Sequence, residues 1–206
     1  MNDTLEVRHG CRMFDGHVVF GDACCRFESG RVYALTGPSG SGKTTLLNGI
    51  GRLDDLTSGE IVLNGENIED IGILKYHREV VGYLFQNYAL VDEETVMQNL
   101  NIVRRHERSV LTEKLVRYGL GEDYLNRRVY TLSGGEAQRV ALARLALRNP
   151  RIVLADEPTG ALDSLNRRLV IDSLREMAEE GRIVIIATHD DEVMNDADEC
   201  INVAEM

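Results

Sequence analysis

Gly37-Pro38-Ser39-Gly40-Ser41-Gly42-Lys43-Thr44 is the stretch that decides the fold of this chain. It matches the pattern G-x-x-x-x-G-K-[ST] in full, and the run Val32–Thr36 before it reads as a β-strand. A helical pattern through Leu47 follows, so the loop has the strand–loop–helix setting that its chemistry requires. Glycines let the backbone wrap a chain of phosphates with its N–H groups turned inward. The helix starting near Lys43 adds the positive end of its dipole. Lys43 can reach β- and γ-phosphates, Thr44 can offer a hydroxyl to Mg²⁺, and Thr45 continues the same edge of the loop. This predicts nucleotide binding, which kinases, GTPases, helicases and transport ATPases all share. No Asn-Lys-x-Asp or Thr-Lys-x-Asp stretch of the guanine-reading kind occurs, so ATP is preferred over GTP.

Two downstream segments narrow the chemistry. In Arg151–Pro158 the apolar run Ile152–Ala155 reads as a buried strand with Asp156 and Glu157 at its carboxyl end, where open α/β sheets place their ligands. Asp156 suits the outer shell of Mg²⁺, and Glu157 can orient and deprotonate a water aimed at a γ-phosphate. In Leu132-Ser133-Gly134-Gly135-Glu136, the pair Ser133 and Glu136 forms a capping box at a helix start. That start is a second anion site outside the first cradle, and it invites a partner's nucleotide.

The rest of the chain alternates strands and helices, which implies a parallel sheet. Ala23–Phe27 reads as a strand separated from Val32–Thr36 by the turn Glu28-Ser29-Gly30, and Ile61–Leu63 with Asn64-Gly65 reads as a hairpin. Val80–Phe85 and Ile183–Thr188 are further strands; Glu136–Leu147 and Leu165–Ala178 are helices. Between Thr95 and Thr131 the pattern is helical, with Leu111, Leu115 and Val116 at helix-face spacing and Gly119 as a stop. Arg104, Arg105, Arg108, Lys114, Arg117, Arg127 and Arg128 make this stretch a basic island, either an interaction face or a solvated helix surface. From Asp190 onward comes an acidic tail without Lys or Arg.

The 206 residues point to little more than one domain, and 43% hydrophobic residues exclude disorder for most of it. The longest apolar run, Ile183–Ala187, has five residues, so no transmembrane span is expected. With 34 acids against 23 bases the net charge is −11, which speaks against a nucleic-acid partner. The N-terminus lacks the layout of a signal peptide, and Cys11, Cys24, Cys25 and Cys200 have no C-x-x-C spacing. They are expected to be reduced core thiols in a cytoplasmic protein.

Six motifs in order closely resemble the ATP-binding-cassette (ABC) family. Besides the phosphate loop and the Asp156-Glu157 pair, Leu132–Glu136 with Gln138-Arg139 after it resembles the family's signature. Gln86 is similar to its Q-loop glutamine, Thr159-Gly160-Ala161-Leu162-Asp163 to its D-loop, and His189 to its switch histidine. Phe14 falls where the family places an adenine-stacking aromatic. The resemblance implies a P-loop NTPase (RecA-like) α/β core, residues 1–86 and 148–206, with an N-terminal antiparallel β portion and an inserted α-helical subdomain over 87–147. It implies that Lys43, Ser39 and the loop amides hold the phosphates, and that Thr44 and Gln86 complete the Mg²⁺ shell with Asp156. Glu157 is then the general base and His189 contacts the γ-phosphate. Ser133, Gly134 and Gly135 close over the nucleotide of a second copy, and Asp163 spans the interface of the resulting homodimer.

Ala137 departs from a glutamine common in the family, and Tyr130 lies in a variable segment; neither touches the chemistry. The chain closes soon after His189, so no regulatory C-terminal domain is expected, and a separate transmembrane permease subunit is required. The chain would then sit on the inner face of the cell membrane through that permease. Gly82–Leu90 and Thr95–Leu100 are similar to the branch serving lipoprotein release, macrolide efflux and bacteriocin or peptide export, with peptide or bacteriocin export the leading expectation. Two other functions stay open: an ATP-driven coupler that remodels the envelope through a membrane protein, and a soluble clamp ATPase on nucleic acid or ribosomes. The short length and the acidic charge oppose the clamp.

Overall fold

The computed structural model describes residues 3–160 and 162–206, so Ala161 of the Thr159–Asp163 segment lies outside the described residues. Its centre is a five-stranded sheet whose apolar runs are buried on both faces, as a parallel sheet demands. Strand β3 (Arg31–Thr36) follows β1 (Thr4–Phe14) and β2 (His17–Glu28) in the chain and is an interior strand of this sheet. The order across it is β6 (Val81–Leu84), β7 (Ile152–Asp156), β8 (Ile183–Ala187), β3 and β9 (Glu199–Asn202), all paired in parallel. Alternation sorts the side chains: Val153, Ala155, Val184 and Ile186 face one core, whereas Ile152, Leu154, Ile183 and Ile185 face the other.

The second core is closed by an antiparallel sheet of order β2-β1-β4-β5, with β4 spanning Ser58–Leu63 and β5 Glu66–Asn67. Asn64 and Gly65 take the positive φ of a tight hairpin, 53° and 87°, as their sequence predicts. Leu5, Val7, Phe20, Ala23 and Phe27 from this sheet pack with Leu46, Leu47 and Ile50 of helix α1 (Lys43–Ile50). Helix α2 (Ile73–Lys75) runs into a π-helical turn, Tyr76–Val80, that delivers the chain to β6.

The first core is covered by helices α3 (Val96–Leu100), α4 (Arg108–Arg117), α5 (Gly134–Arg148) and α6 (Ser164–Glu179). The α/β class with a phosphate-loop core is as the sequence predicts, and the expected strands and helices are present within a few residues. Several local readings are corrected. β2 begins at His17, not Ala23, because a two-residue turn at Asp15-Gly16 folds it back on β1 into a long hairpin. Val80 belongs to the π turn and Phe85 lies past the strand. Val116 is 59% exposed; Leu111 and Leu115 carry the burial of α4, one helical step away from it.

The cysteines are free, but they are not core residues: Cys24 and Cys200 are exposed, Cys11 and Cys25 half-buried. The acidic stretch from Asp190 is ordered as helix α7 (Asp191–Asp196) and edge strand β9. Arg175 neutralises part of it through Asp196 and Asp198. In the basic island, Arg108 pairs with Glu122, Arg117 with Glu176 and Arg127 with Asp123, so much of its charge is already spent within the chain.

Candidate nucleotide site

The carboxyl ends of β3, β7 and β8 meet at one edge of the parallel sheet, and the loop after each carries a site residue. After β3 the loop 37–42 turns through three glycines with positive φ: Gly37 at 132°, Gly40 at 81° and Gly42 at 95°. At two of these even an alanine would collide. A Cβ on Gly37 would lie 2.7 Å from Ser41 Oγ, and one on Gly42 2.8 Å from Val19 Cγ1. Lys43 Nζ donates to the carbonyls of Gly37 (2.8 Å) and Pro38 (3.0 Å), which bends the side chain back across its own loop.

Phe14, Val19, Gly37, Pro38, Ser39, Gly40, Gly42, Lys43, Thr44, Thr45, Glu157 and His189 line one open cleft of about 710 Å³. Phe14 is 46% exposed at its rim, with the Arg12 guanidinium 4.2 Å from the ring centroid. The cleft can hold a nucleotide triphosphate: it has an aromatic face at one end and a backbone cradle with a lysine at the other. Ser41 Oγ, buried within the loop and without a hydrogen-bond partner, is a further polar atom fitted to a phosphate cradle.

Beneath the loop, Thr44 Oγ1 donates to Asp156 Oδ1 at 3.0 Å, which brings the hydroxyl and carboxylate expected of a Mg²⁺ site together. Burial pushes the Asp156 carboxyl up from its usual range; the Thr44 hydrogen bond opposes this and neighbouring Glu157 adds to it. Glu157 itself sits at φ 44°, in the left-handed region that costs a non-glycine residue about 1–3 kcal/mol and that clusters at functional sites. Its backbone N–H is tied to the Ala187 carbonyl at 2.9 Å. Both carboxylate oxygens are engaged: Oε1 lies 2.7 Å from His189 Nδ1, and Oε2 accepts from Thr188 Oγ1 at 3.3 Å. The backbone conformation thus aims a carboxylate, 20% exposed, into the cleft beside an open imidazole.

The other predicted site residues lie outside this cleft. Gln86 is exposed just past β6 and does not line it. Ser133, Gly134 and Gly135 form the start of α5, where Ser133 Oγ accepts from Glu136 N and the Glu136 carboxylate accepts from Ser133 N–H at 2.7 Å. Tyr124 O–H also donates to Glu136 and, with the Ser133 contacts, holds that carboxyl down at about 2. Asp163 caps α6 through Asn166 N–H, and Asn166 in turn accepts from Arg139 of α5 at 2.6 Å. A Cβ on Gly135 would lie 2.7 Å from Asn166 Nδ2, so this glycine lets the two helix starts meet.

Sequence reasoning missed two supports. Gln138, 2% exposed, donates to the Pro158 carbonyl at 3.0 Å and couples α5 to the loop just after Glu157. A polar side chain on the buried stripe of Ala137, Val140 and Ala141 was the signal for it. Thr188 is also fully buried and divides its hydroxyl between Glu157 and the N–H of Asp190.

A phosphate loop after an interior strand of a parallel sheet, with an acid pair at the end of β7, one strand removed across β8, defines a phosphate-loop nucleotide hydrolase. Residues 21–160 match the family model described as ABC transporter. The chain is 36% identical over 203 residues to the ABC transporter ATP-binding protein YxdL of Bacillus subtilis, covering 92% of this chain and 79% of that one. It is 40% identical over 190 residues to the pyoverdine export ATP-binding/permease protein PvdT of Pseudomonas savastanoi pv. phaseolicola, covering 86% of this chain but only 28% of that protein. Among solved structures it is similar to the dimeric MJ0796, a bacterial ABC transporter cassette, with TM-score 0.85 and 30% identity over 97% of this chain and 95% of that one. A second MJ0796 structure, with TM-score 0.85 and 29% identity over the same shares, is a dimeric post-hydrolysis state bound to ADP and Pi. The chain belongs to the ABC transporter family and is its ATP-binding, ATP-hydrolysing cassette.

Proposed function

We propose that two copies of this chain sandwich two ATP molecules, and that closing and reopening of the pair drives a separate membrane permease. The observation that carries this reading is the split site. Phe14, the phosphate loop, Glu157 and His189 share one cleft, whereas among the described residues the N–H-rich start of α5 at Ser133–Gly135 does not line it. A second copy, facing the first head to tail, brings its own Ser133 and Gly134 amides to the γ-phosphate end and its Asp163 to the interface. The dimeric state of MJ0796 supports this arrangement by likeness.

In this site the loop amides and Lys43 bind the phosphates, and Ser39 and Thr45 add hydroxyls at the edge. Thr44, Asp156 and Gln86 would hold Mg²⁺, which would supply positive charge to offset that of the phosphates. Glu157 Oε1 or Oε2 takes the proton of the attacking water, and its bonds to His189 and Thr188 fix the carboxylate in line with the γ-phosphate. His189, open on its other face, is free to contact the γ-phosphate as well. The helices between residues 87 and 147 act as one subdomain, hinged near Gln86 to the core of 1–86 and 148–206.

A groove lined by Arg78, Glu79, Leu100, Arg104, Arg144 and Arg148 opens beside that hinge and would receive the permease. No described helix is long and apolar enough to cross a membrane, so contact with the bilayer is assigned to that partner. Export is the direction supported by likeness to PvdT, and a peptide or bacteriocin, a lipoprotein or a drug is the proposed class of cargo. Light scattering of Glu157→Gln with and without Mg-ATP tests the reading. A doubling of mass that requires ATP and disappears when Lys43→Ala is added is the expected result. A variant that binds ATP and stays monomeric would overturn self-closure.

A further inference from the structure

On the antiparallel sheet, away from the nucleotide cleft, three metal-ligating side chains of different chemistry converge. Asp22-Ala23-Cys24 lies in β2, and the two-residue repeat of a strand turns Ala23 into the core at 0% exposure while Asp22 and Cys24 share the outer face. Opposite them the β1 register slips between Val7↔Cys25 and Gly10↔Ala23, so Arg8 and His9 together face Cys24 in a β-bulge. His9 takes φ 50° there, which re-aims its imidazole over Asp22 and Cys24. Gly59 of β4 backs the bulge: a Cβ at that position would lie 2.3 Å from the His9 carbonyl oxygen.

The distances fit one ion. His9 Nδ1 is 2.8 Å from Asp22 Oδ1 and 3.6 Å from Cys24 Sγ, and Cys24 Sγ is 3.8 Å from Asp22 Oδ1. Tetrahedral Zn²⁺ with usual bond lengths to sulfur, nitrogen and oxygen has ligand–ligand edges of about 3.4–3.6 Å. The two edges to sulfur are already near that value, and only the nitrogen–oxygen edge has to open by about 0.6 Å as its hydrogen bond is given up. The backbone N–H of His9 points at Cys24 Sγ at 3.4 Å, which helps to hold the sulfur beside the imidazole. All three side chains are exposed, so solvent reaches the fourth position.

We propose that His9, Asp22 and Cys24 form a surface Zn²⁺ site with water as the fourth ligand. Thiolate and imidazole select zinc over the hard cation that suits Thr44 and Asp156, so the two sites do not compete for one metal. On binding, Cys24 releases its thiol proton to solvent. His9 coordinates through Nδ1 with a proton kept on Nε2, and Asp22 binds through a carboxylate oxygen. Neighbouring Cys25 is no rival ligand, because the two-residue repeat of β2 turns it to the core face with Ala23. His9 stands five residues before Phe14 on the same strand, about 17 Å from the rim of the nucleotide cleft.

The test is titration of the reduced, nucleotide-free full chain with Co²⁺, followed by displacement with Zn²⁺. A thiolate-to-cobalt charge-transfer band saturating at one equivalent, and erased by Zn²⁺, is expected. Cys24→Ser should abolish the band, and Cys200→Ser should leave it intact. Asp22→Asn, and His9→Asn, which tolerates the positive φ, should each weaken Zn²⁺ binding by more than the about 10–100-fold that losing a hydrogen-bond partner of a ligand costs. Thermal unfolding in chelator shows whether each variant is folded, and Cys24→Ser alone suffices if the bulge variant is not. Absence of the band at one equivalent of Co²⁺, or its survival in Cys24→Ser, would overturn the site.

Discussion

Replacing Glu157 by Gln separates chemistry from binding in this cleft more cleanly than any other single change. The carboxamide keeps the size of the side chain, can still accept from Thr188 Oγ1, and can still bond His189, so the geometry around φ 44° survives. Only the capacity to take a proton is lost. A general base contributes about 10²–10⁴-fold, equivalent to about 2.7–5.4 kcal/mol of barrier. Both oxygens of Glu157 are held by partners and its backbone is fixed in a strained conformation, so as the proposed base Glu157 is expected in the upper half of that range. Hydrolysis is expected to fall by about 10³-fold or more. ATP affinity should stay within about threefold, because the loop amides and Lys43, the proposed phosphate ligands, are untouched. Single-turnover phosphate release and equilibrium titration with a fluorescent ATP analogue measure the two quantities apart. Retention of more than about a tenth of the rate would refute Glu157 as the base. A matching loss of affinity would instead make it a binding residue.

Two further outcomes test the scaffold. The Glu136 carboxyl is held at about 2, first by Tyr124 O–H and then by Ser133. Its folded value lies below the ordinary 4.5, so its stabilisation is complete above that pH and is lost as pH falls toward 2. Tyr124→Phe should lower the urea midpoint at pH 7 and flatten its decline between pH 4.5 and 2; an unchanged acid profile would contradict the assignment. Gly82→Ala in β6 would put a Cβ 2.5 Å from Leu145 Cδ1 and 2.7 Å from Pro150 Cγ. Overpacking of this kind costs about 1–3 kcal/mol, and urea unfolding with no loss of stability would show that α5 can retreat from the sheet.

The parallel sheet was legible because Ile152–Ala155 and Ile183–Ala187 are apolar at every position, which only a strand covered on both faces requires. The phosphate loop was legible because its glycines and lysine have no substitute. The long β1–β2 hairpin was not: bulges near His9, Gly10 and Arg12 break the two-residue alternation that a reader looks for. Strand β9 was hidden for another reason, since Glu199 and Asn202 suit an exposed edge and resemble a polar tail. Within the site, Lys43, Thr44, Asp156 and Glu157 could be placed by motif alone. The clamp of Gln138 on Pro158 could not, because a long-range side-chain contact leaves no periodic trace.

Vanadate-trapped photocleavage is the most direct measure of whether the start of α5 completes a partner's nucleotide site. Vanadate occupies the γ-phosphate position with ADP and, on irradiation, cuts whatever backbone lies against it. The expected result is two cuts, one in the loop 37–44 and one at Ser133–Gly134, with the second lost when the chain is diluted below dimerisation. A cut in the phosphate loop alone, at concentrations where vanadate and ADP are fully trapped, would contradict the two-chain site.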